Sequence, residues 1–582
     1  MFKQKRWDLK ELLPDFKGKE FKHFLNDLLK KVEIFENLRK DLKPDISSEK
    51  FLEIWKFDEK ISEMCAKIGG FVELKYSEDV SNTDIVAFKT KMENLLTNVS
   101  NRMLFFNLFW KKLDNNNASR LIKGAGIYAD FLKFERKFIP YTLLEKEEQI
   151  INLKDSSGVN TLVNLYTLIT SKFNFNFKGK KLSRDELGIF VRDPSSKIRS
   201  DAYNILLNKF IESKDILGEI YKSIVLNWKN ENLILRKYKS EISPRNLSND
   251  IPDEVIETIF SVCKDNNSIF QDYFRLKAKL IGVKKLRRYD LYAPISKFNE
   301  KIKFEKAVNL VFDNFKQLDQ EFYKRAFEIF NRKHVDSEIR KNKRASAYCF
   351  GATPNVRPYI FINFANTYQD LLTLAHETGH GVHFSFSSKN PISLYEPGLP
   401  LAETASTFSE TMMYEKLSSF EDLKLKNFSF FSQLDNYFAT ISRQIYFGMF
   451  EKEVHKNILT LHGIEDIAKI YSNNLKNLFG NSVSVSPDFS WEWLYVPHFF
   501  ETPFYTYAYS FGNLLSIALY QRYKKEGKDF ILNYKNILSS GGSKEPAKLL
   551  KENGFDISSR QFWQQGFDFI KEKVKEARKL YI

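Results

Sequence analysis

The chain has 582 residues, of which 43% are hydrophobic, so it can build two or three packed units and is neither disordered nor fibrous. Its 90 Lys and Arg against 74 Asp and Glu give a formal charge of +16, but these charges are interspersed and no recognition motif accompanies them, so we expect no nucleic-acid partner. Three scattered cysteines and the lack of an apolar run long enough to span a bilayer predict a cytoplasmic protein without a membrane partner.

The N-terminal part of the chain is predicted to be helical. Apolar residues recur three and four positions apart from residue 3 to residue 150, which is typical of amphipathic helix. Alternation at 173–177 followed by a Lys-Gly-Lys turn predicts a small hairpin. Ser183 and Glu186 then have capping-box spacing and begin a new helix. We therefore expect two domains, 1–190 and 191–582.

Helix predominates again up to about residue 345, with loops expected near Ser243–Pro252 and Tyr289–Pro294. A short strand rich in β-branched and aromatic residues follows at Arg357–Phe364. Pro358 cannot donate a hydrogen bond to a central ladder, so its position at the start of this strand predicts an edge strand.

The next helix carries the main chemical motif. Thr367 and Asp370 have capping-box spacing, and the helix continues through an HExxH segment from His376 to His380. Residues four apart lie one turn apart on one face, so both imidazoles can bind one zinc ion, and Glu377 beside them can accept a proton from water. His383 follows on the neighbouring face, where a supporting role at the site and an ordinary polar position are equally open.

A catalytic zinc site needs a third protein ligand and an open position. The extended HExxHxxGxxH form is excluded, because positions 383 and 386 are His and Phe. A second helix is predicted after Pro400, and it carries Glu403 and Glu410 seven positions apart on one face. From spacing, either glutamate can bind the metal while the other orients a ligand histidine.

An aromatic segment near the C-terminus offers hydrogen-bond donors for an oxyanion. It contains His498, Tyr505 and Tyr509, and both residue types can stabilise the charge of a tetrahedral intermediate. If the segment is helical past Pro503, Tyr505 and Tyr509 share a face and Tyr507 points away. The alternative is aromatic core packing in a chain that has 27 Tyr.

Several runs together resemble one known family. The segments at 374–383 and 402–408 closely resemble the oligoendopeptidase F branch of the thimet oligopeptidase family. The opening Trp7-Asp8-Leu9, the turn at 347–351 and the strand at 358–364 are similar to that branch as well. The resemblance implies that Glu403 is the third zinc ligand and that Glu377 is the general base. The spacing then leaves Glu410 to orient a ligand histidine.

The resemblance also implies a mainly α, two-lobed helical metallopeptidase with a deep central cleft and a small β-sheet beside the zinc site. Residues 191–582 would form the catalytic domain, with one Zn²⁺ per chain and short unstructured peptides as substrates of internal cleavage. The segment 348–353, which contains Tyr348 and Gly351, and the following strand are candidates for the edge that pairs with substrate. His498 and Tyr509, with Tyr505, would contact the scissile carbonyl. Relatives of the thimet type carry a glycine-rich loop where this chain has residues 499–503.

Two other interpretations stay open. A helical metallocarboxypeptidase can share HExxH and a downstream glutamate, and it would release single C-terminal residues. A basic helical scaffold that binds RNA or an acidic partner would make the HExxH accidental, and it would hold nucleic acid in a salt-sensitive way. For the assembly we favour a monomer over an oligomer.

Overall fold

The computed structural model describes residues 2–295, 298 and 300–581, and most of these residues are helical. The N-terminal helices are α1 (Lys19–Asn37), α2 (Ser48–Glu78), α3 (Thr83–Lys112), α4 (Asn115–Gly124), α5 (Ala129–Arg136), α6 (Glu145–Ser157), α7 (Val159–Ser171), α8 (Arg184–Gly188), α9 (Ser196–Ile211), α10 (Lys214–Trp228), α11 (Ser243–Ser248), α12 (Asp253–Asp265) and α13 (Asn267–Leu280). Those that follow are α14 (Phe304–Leu318), α15 (Gln320–Asn331), α16 (Tyr368–Ser387), α17 (Leu399–Ser418), α18 (Leu423–Tyr437), α19 (Arg443–Asn457), α20 (Ile464–Phe479), α21 (His498–Glu501), α22 (Tyr507–Glu526), α23 (Asp529–Ser539), α24 (Pro546–Glu552) and α25 (Arg560–Tyr581). The predicted mainly α class is confirmed.

The chain forms two compact units that are interleaved along the sequence. The first contains Met1–Lys154, Glu300–Met413 and Arg522–Phe555, and the second contains Asp155–Asn299, Tyr414–Gln521 and Asp556–Ile582. The expected boundary near residue 190 cuts the sequence once, whereas each compact unit is built from three separate segments. The division into domains 1–190 and 191–582 stays a prediction. Within the described residues, no helix is both long enough and apolar enough to cross a membrane.

The predicted N-terminal helices are confirmed, and their burial follows their periodicity. Leu28, Val32 and Phe35 recur at helical spacing on α1 and are fully buried. The side chain of Ser47 caps α2 by accepting a hydrogen bond from the Lys50 amide. The helical pattern begins later than predicted, however, because residues 3–18 precede α1 and contain no α-helix.

The strands are short. β1 (Phe175–Phe177) and β2 (Lys180–Leu182) form the predicted antiparallel hairpin in the second unit. Lys178 and Gly179 in its turn both have positive φ, as the tight turns of two-residue hairpins require. β3 (Leu286–Arg287) pairs in parallel with the strand Val483–Ser484. The predicted loop at 243–252 is partly helical, because Pro244 fits the first turn of α11.

A three-stranded sheet lies in the first unit and is built from β4 (Val335–Asp336), β5 (Tyr348–Phe350) and β6 (Tyr359–Phe361). Its order is β4-β6-β5, so β6 is central and the edge-strand prediction for it is wrong. Pro358 is tolerated because it precedes the strand. The amide that β6 needs toward β4 belongs to Ile360, which donates to the His334 carbonyl at 2.8 Å.

The N-terminal segment runs beside β4. The Lys5 carbonyl accepts a hydrogen bond from the Ser337 amide at 2.9 Å, and the Asp8 amide donates to the Lys333 carbonyl at 2.9 Å. Trp7 packs its ring 5.3 Å from that of Phe361. The backbone beside β4 is therefore already paired, which leaves β5 as the strand at the opposite edge of the sheet.

Candidate metal centre

Helix α16 carries the HExxH segment, and its start is fixed by the predicted capping box. The Thr367 hydroxyl accepts a hydrogen bond from the Asp370 amide at 3.1 Å, and the Asp370 carboxylate accepts one from the Thr367 amide at 2.8 Å. Leu371, Leu374 and Ala375 on its inner side are fully buried. The cap and this apolar side set the rotation of the helix, and hence where its histidines point.

His376 and His380 lie one turn apart, with their ring centroids 4.9 Å from each other. Glu403 on α17 faces both rings. Its Oε2 lies 3.5 Å from Nε2 of His376 and 3.6 Å from Nε2 of His380. The donor atoms of the three residues all lie within 4.8 Å of one another. Two imidazole nitrogens and one carboxylate oxygen fit the donor set of a catalytic zinc site.

Gly379 explains how α17 comes so near to α16. A methyl group built on Gly379 would lie 2.6 Å from the Ala405 carbonyl oxygen and 2.6 Å from Cα of Ser406. Only glycine therefore allows the two backbones to touch at this point. Because Glu403 precedes the contact by less than one turn, the close packing brings its carboxylate to the histidines.

Glu410 is the second glutamate on α17 that the spacing offered as a metal ligand or as the residue that orients a ligand histidine. Its Oε2 lies 3.3 Å from Nδ1 of His376, on the side of the ring opposite to Glu403. Burial lowers the pKa of His376, but Glu410, Glu377 and Glu403 outweigh it and raise this pKa to about 10. The surrounding carboxylates thus favour positive charge at this point.

Glu377 is buried, and burial raises its pKa to about 7. The positive charge of His376 opposes this rise, whereas Glu403 and Glu410 add to it. A carboxyl group with a pKa near neutral can both accept and return a proton at physiological pH. The backbone of Cys349 on β5 also lowers the pKa of this group, which places the edge strand beside it.

His383 is buried and lies outside the donor set. Burial lowers its pKa to about 3, so the imidazole is neutral at ordinary pH. His380 adds to this lowering, and the carbonyl of Ala402 at the start of α17 opposes it. A supporting role of His383 at the site stays a prediction.

In the edge strand β5, one residue has its backbone amide and carbonyl directed away from the sheet. Ile360 directs its backbone groups toward β4, so the neighbouring residues of β6 pair with Tyr348 and Phe350. The intervening Cys349 consequently points its amide and carbonyl away from the sheet. The sequence carries no signal for this orientation, because a backbone role does not depend on the identity of the side chain.

The other two residues predicted for this edge have packing roles. The Tyr348 ring stacks on Phe361 with centroids 5.0 Å apart, and its hydroxyl is buried. A methyl group on Gly351 would lie 2.5 Å from the Phe384 ring and 2.7 Å from the Tyr395 hydroxyl. Gly351 therefore lets the chain after β5 lie directly on α16, and the small sheet beside the HExxH helix is confirmed.

The predicted oxyanion donors form a cluster in the second unit. Nε2 of His498 lies 3.2 Å from the Tyr509 hydroxyl, within hydrogen-bonding distance. The Tyr505 ring is parallel to that of His498, with centroids 5.5 Å apart. Because α22 begins only at Tyr507, Tyr505 reaches this cluster from the preceding turn rather than from the helix. The Tyr507 hydroxyl accepts a hydrogen bond from Asn249 at 2.6 Å.

Comparison with known proteins agrees with this geometry. The model of Peptidase family M3 matches residues 189–569. The chain is 26% identical to an oligoendopeptidase F homolog of Borreliella burgdorferi, covering 99% of this chain and 98% of the relative. It is 24% identical to oligopeptidase PepF of Bacillus subtilis, covering 99% and 87% of the two chains.

The fold agrees as well. The crystal structure of oligoendopeptidase-F from Enterococcus faecium superposes with a TM-score of 0.74 at 20% identity, covering 96% of this chain and 99% of that one. The predicted resemblance is therefore confirmed. Since the family match spans well over half of the sequence, the chain belongs to peptidase family M3, in its oligoendopeptidase F branch, and is a metallopeptidase.

Proposed function

We propose that this chain is a zinc-dependent endopeptidase that hydrolyses internal bonds of short, unstructured peptides. The position of Glu403, which faces both HExxH imidazoles at 3.5 and 3.6 Å, is the observation that carries the proposal. In it, His376, His380 and Glu403 hold one zinc ion per chain, and Glu410 orients His376 through Nδ1.

A zinc ion bound there would lower the pKa of a water molecule and polarise the substrate carbonyl. Glu377 takes a proton from the attacking water, and its pKa near 7 suits it to return that proton to the leaving amine. His498 and Tyr509 donate hydrogen bonds to the developing oxyanion, and Tyr505 packs against His498. No covalent bond to the enzyme forms in this scheme.

The substrate in this proposal is an extended peptide that pairs with β5. The outward amide and carbonyl of Cys349 can accept one more strand, whereas the backbone beside β4 is already paired with the N-terminal segment. Pairing of this kind needs a free substrate backbone. A folded protein has its backbone groups bound internally, so short unstructured peptides are the fitting class.

The setting of the activity is part of the same proposal. Cys65, Cys263 and Cys349 are free thiols, which favours a reducing compartment, and we place the enzyme in the cytoplasm as a monomer. Peptides are its proposed partners, without a role for nucleic acid or membrane.

Mapping of products by mass spectrometry separates the competing functions. The purified protein, with its zinc content measured, is incubated with an unlabelled peptide of about ten residues. We expect internal cuts and about one zinc per chain. Stepwise release of single C-terminal residues would support a carboxypeptidase instead. An inactive, zinc-free protein that retains RNA in a salt-sensitive way would support the binding scaffold.

A further inference from the structure

The turn between α21 and α22 carries Tyr505 and joins the helices that present His498 and Tyr509. Phe504 in this turn has a φ of 59°. An aromatic residue adopts this left-handed backbone conformation only where its surroundings over-determine it. The surroundings of Phe504 therefore bear on the geometry of the His498 and Tyr509 pair.

Two side chains bind adjacent backbone groups of this turn. The Phe504 amide donates a hydrogen bond to Oε1 of Glu451 on α19 at 2.8 Å, and Glu451 is fully buried. Arg245 on α11 donates from Nε to the Pro503 carbonyl at 3.1 Å. A buried carboxyl group that accepts a backbone amide is costly to replace by an apolar side chain, because the amide then loses its partner.

The rest of the turn is held by packing. The Phe504 ring lies 4.6 Å from the His455 ring and 6.0 Å from the Trp228 ring, measured between centroids. Beyond it, the Tyr507 hydroxyl accepts a hydrogen bond from Asn249 at 2.6 Å. Backbone and side chain of the turn are thus fixed from α10, α11 and α19 together.

We propose that Glu451, assisted by Arg245, is a positioning residue that holds the left-handed turn at Phe504 and thereby keeps His498 in contact with Tyr509. It acts through the turn and not on substrate. The inference rests on the proposed function, in which that pair donates to the oxyanion. It assigns the ordering of this segment to a buried acid on α19.

The test compares Glu451→Leu, which removes the acceptor, with Glu451→Gln, which keeps an oxygen for the Phe504 amide. Val454→Ala is the matched control, because Val454 is fully buried on the same helix and has no polar contact to lose. For each full-length zinc-loaded variant, kcat, KM, zinc content and melting temperature are measured. The histidine signals of protein labelled with ¹³C-histidine are also recorded. The chain has 8 His, and His498→Gln assigns the signal of interest.

We expect Glu451→Leu to lower kcat roughly tenfold or more with KM within about threefold, since misplaced catalytic groups weaken the transition state more than binding. Its His498 signal should move toward the position seen in Tyr509→Phe. Glu451→Gln should restore both readouts, and Val454→Ala should lower only the melting temperature. If Glu451→Leu does not fold, Arg245→Met tests the same turn through Pro503 and should give the same two changes.

An unchanged His498 signal and kcat in Glu451→Leu would overturn the inference, as would equal losses of kcat in Glu451→Leu and Val454→Ala. A third outcome would show that the positioning role of Glu451 holds although the proposed oxyanion role of the pair is wrong. If His498→Gln and Tyr509→Phe keep full kcat while Glu451→Leu still moves the His498 signal, the positioning role stands and the oxyanion role fails.

Discussion

Gly379 lies against the backbone of Ala405, so that a methyl group in its place would sit 2.6 Å from the Ala405 carbonyl oxygen. The contact lies between the two histidines of the HExxH segment on one helix and beside Glu403 on the next. The metal donors are therefore set by a helix-helix contact as much as by the motif itself.

Gly379→Ala should weaken zinc binding even though alanine favours helix over glycine by roughly 0.5–1 kcal/mol. Overpacking at the contact costs about 1–3 kcal/mol and separates α16 from α17, so we expect zinc affinity to fall roughly tenfold or more. Competition with a chelator measures this. Gly188→Ala is the control, because nothing lies within 4 Å of the added methyl group. Equal zinc affinity in both variants would contradict the role of the contact.

We expect substitutions of Glu403 and of Glu410 to weaken zinc binding to different extents. Glu403→Ala removes the oxygen that faces both Nε2 atoms, and we expect this variant to be isolated without zinc. Glu410→Gln keeps the donor set but weakens the partner of Nδ1 on His376, so zinc affinity should fall about 10–100-fold. Metal analysis after dialysis against a graded chelator distinguishes them. If Glu410→Gln lost zinc more readily than Glu403→Ala, Glu410 would be the metal ligand and Glu403 the residue that supports a histidine.

Glu451 should make the stability of the protein fall with rising pH. Burial raises its pKa from the ordinary 4.5 to about 8, although the Phe504 amide and Arg245 oppose the rise. Folding therefore takes up a proton between these values. The stabilisation is fully present below pH 4.5 and is lost as pH rises through 8. At about 1.4 kcal/mol per pKa unit, the loss is on the order of a few kcal/mol.

The measurement is the melting temperature of the wild type and of Glu451→Gln from pH 5 to about pH 9. Glutamine does not titrate, so the difference between the two proteins isolates this one group. We expect the wild type to lose stability relative to Glu451→Gln across that interval. A difference that stays constant with pH would show that Glu451 does not change protonation there.

The local parts of the site could be predicted from the sequence. The capping box at Thr367, the helix through His376 and His380, and the place of Glu377 all depend on spacings within one helix, where 3.6 residues per turn decide which side chains meet. The hairpin was predictable from local signals too, namely the alternation at 173–177 and the glycine at 179, which suits the positive φ of a tight turn.

Contacts between distant segments could not be predicted in this way. Spacing alone favoured Glu403 over Glu410 only slightly, and it is the packing at Gly379 that turns the Glu403 carboxylate toward both Nε2 atoms. Pro358 predicted an edge strand, but the strand is central because 335–336 pairs with it from earlier in the chain. The left-handed Phe504 has no signal in the sequence, because its conformation comes from Glu451 on another helix.

The central claim is metal-dependent hydrolysis with Glu377 as the base, and one comparison tests it most directly. Wild type and Glu377→Gln are assayed on an internally quenched peptide of about ten residues, with zinc quantified in both. The account predicts about one zinc in each protein and a fall in turnover of roughly 10²–10⁴ in the variant, because glutamine keeps the shape but cannot accept the proton. Zinc-loaded Glu377→Gln with wild-type turnover would contradict it.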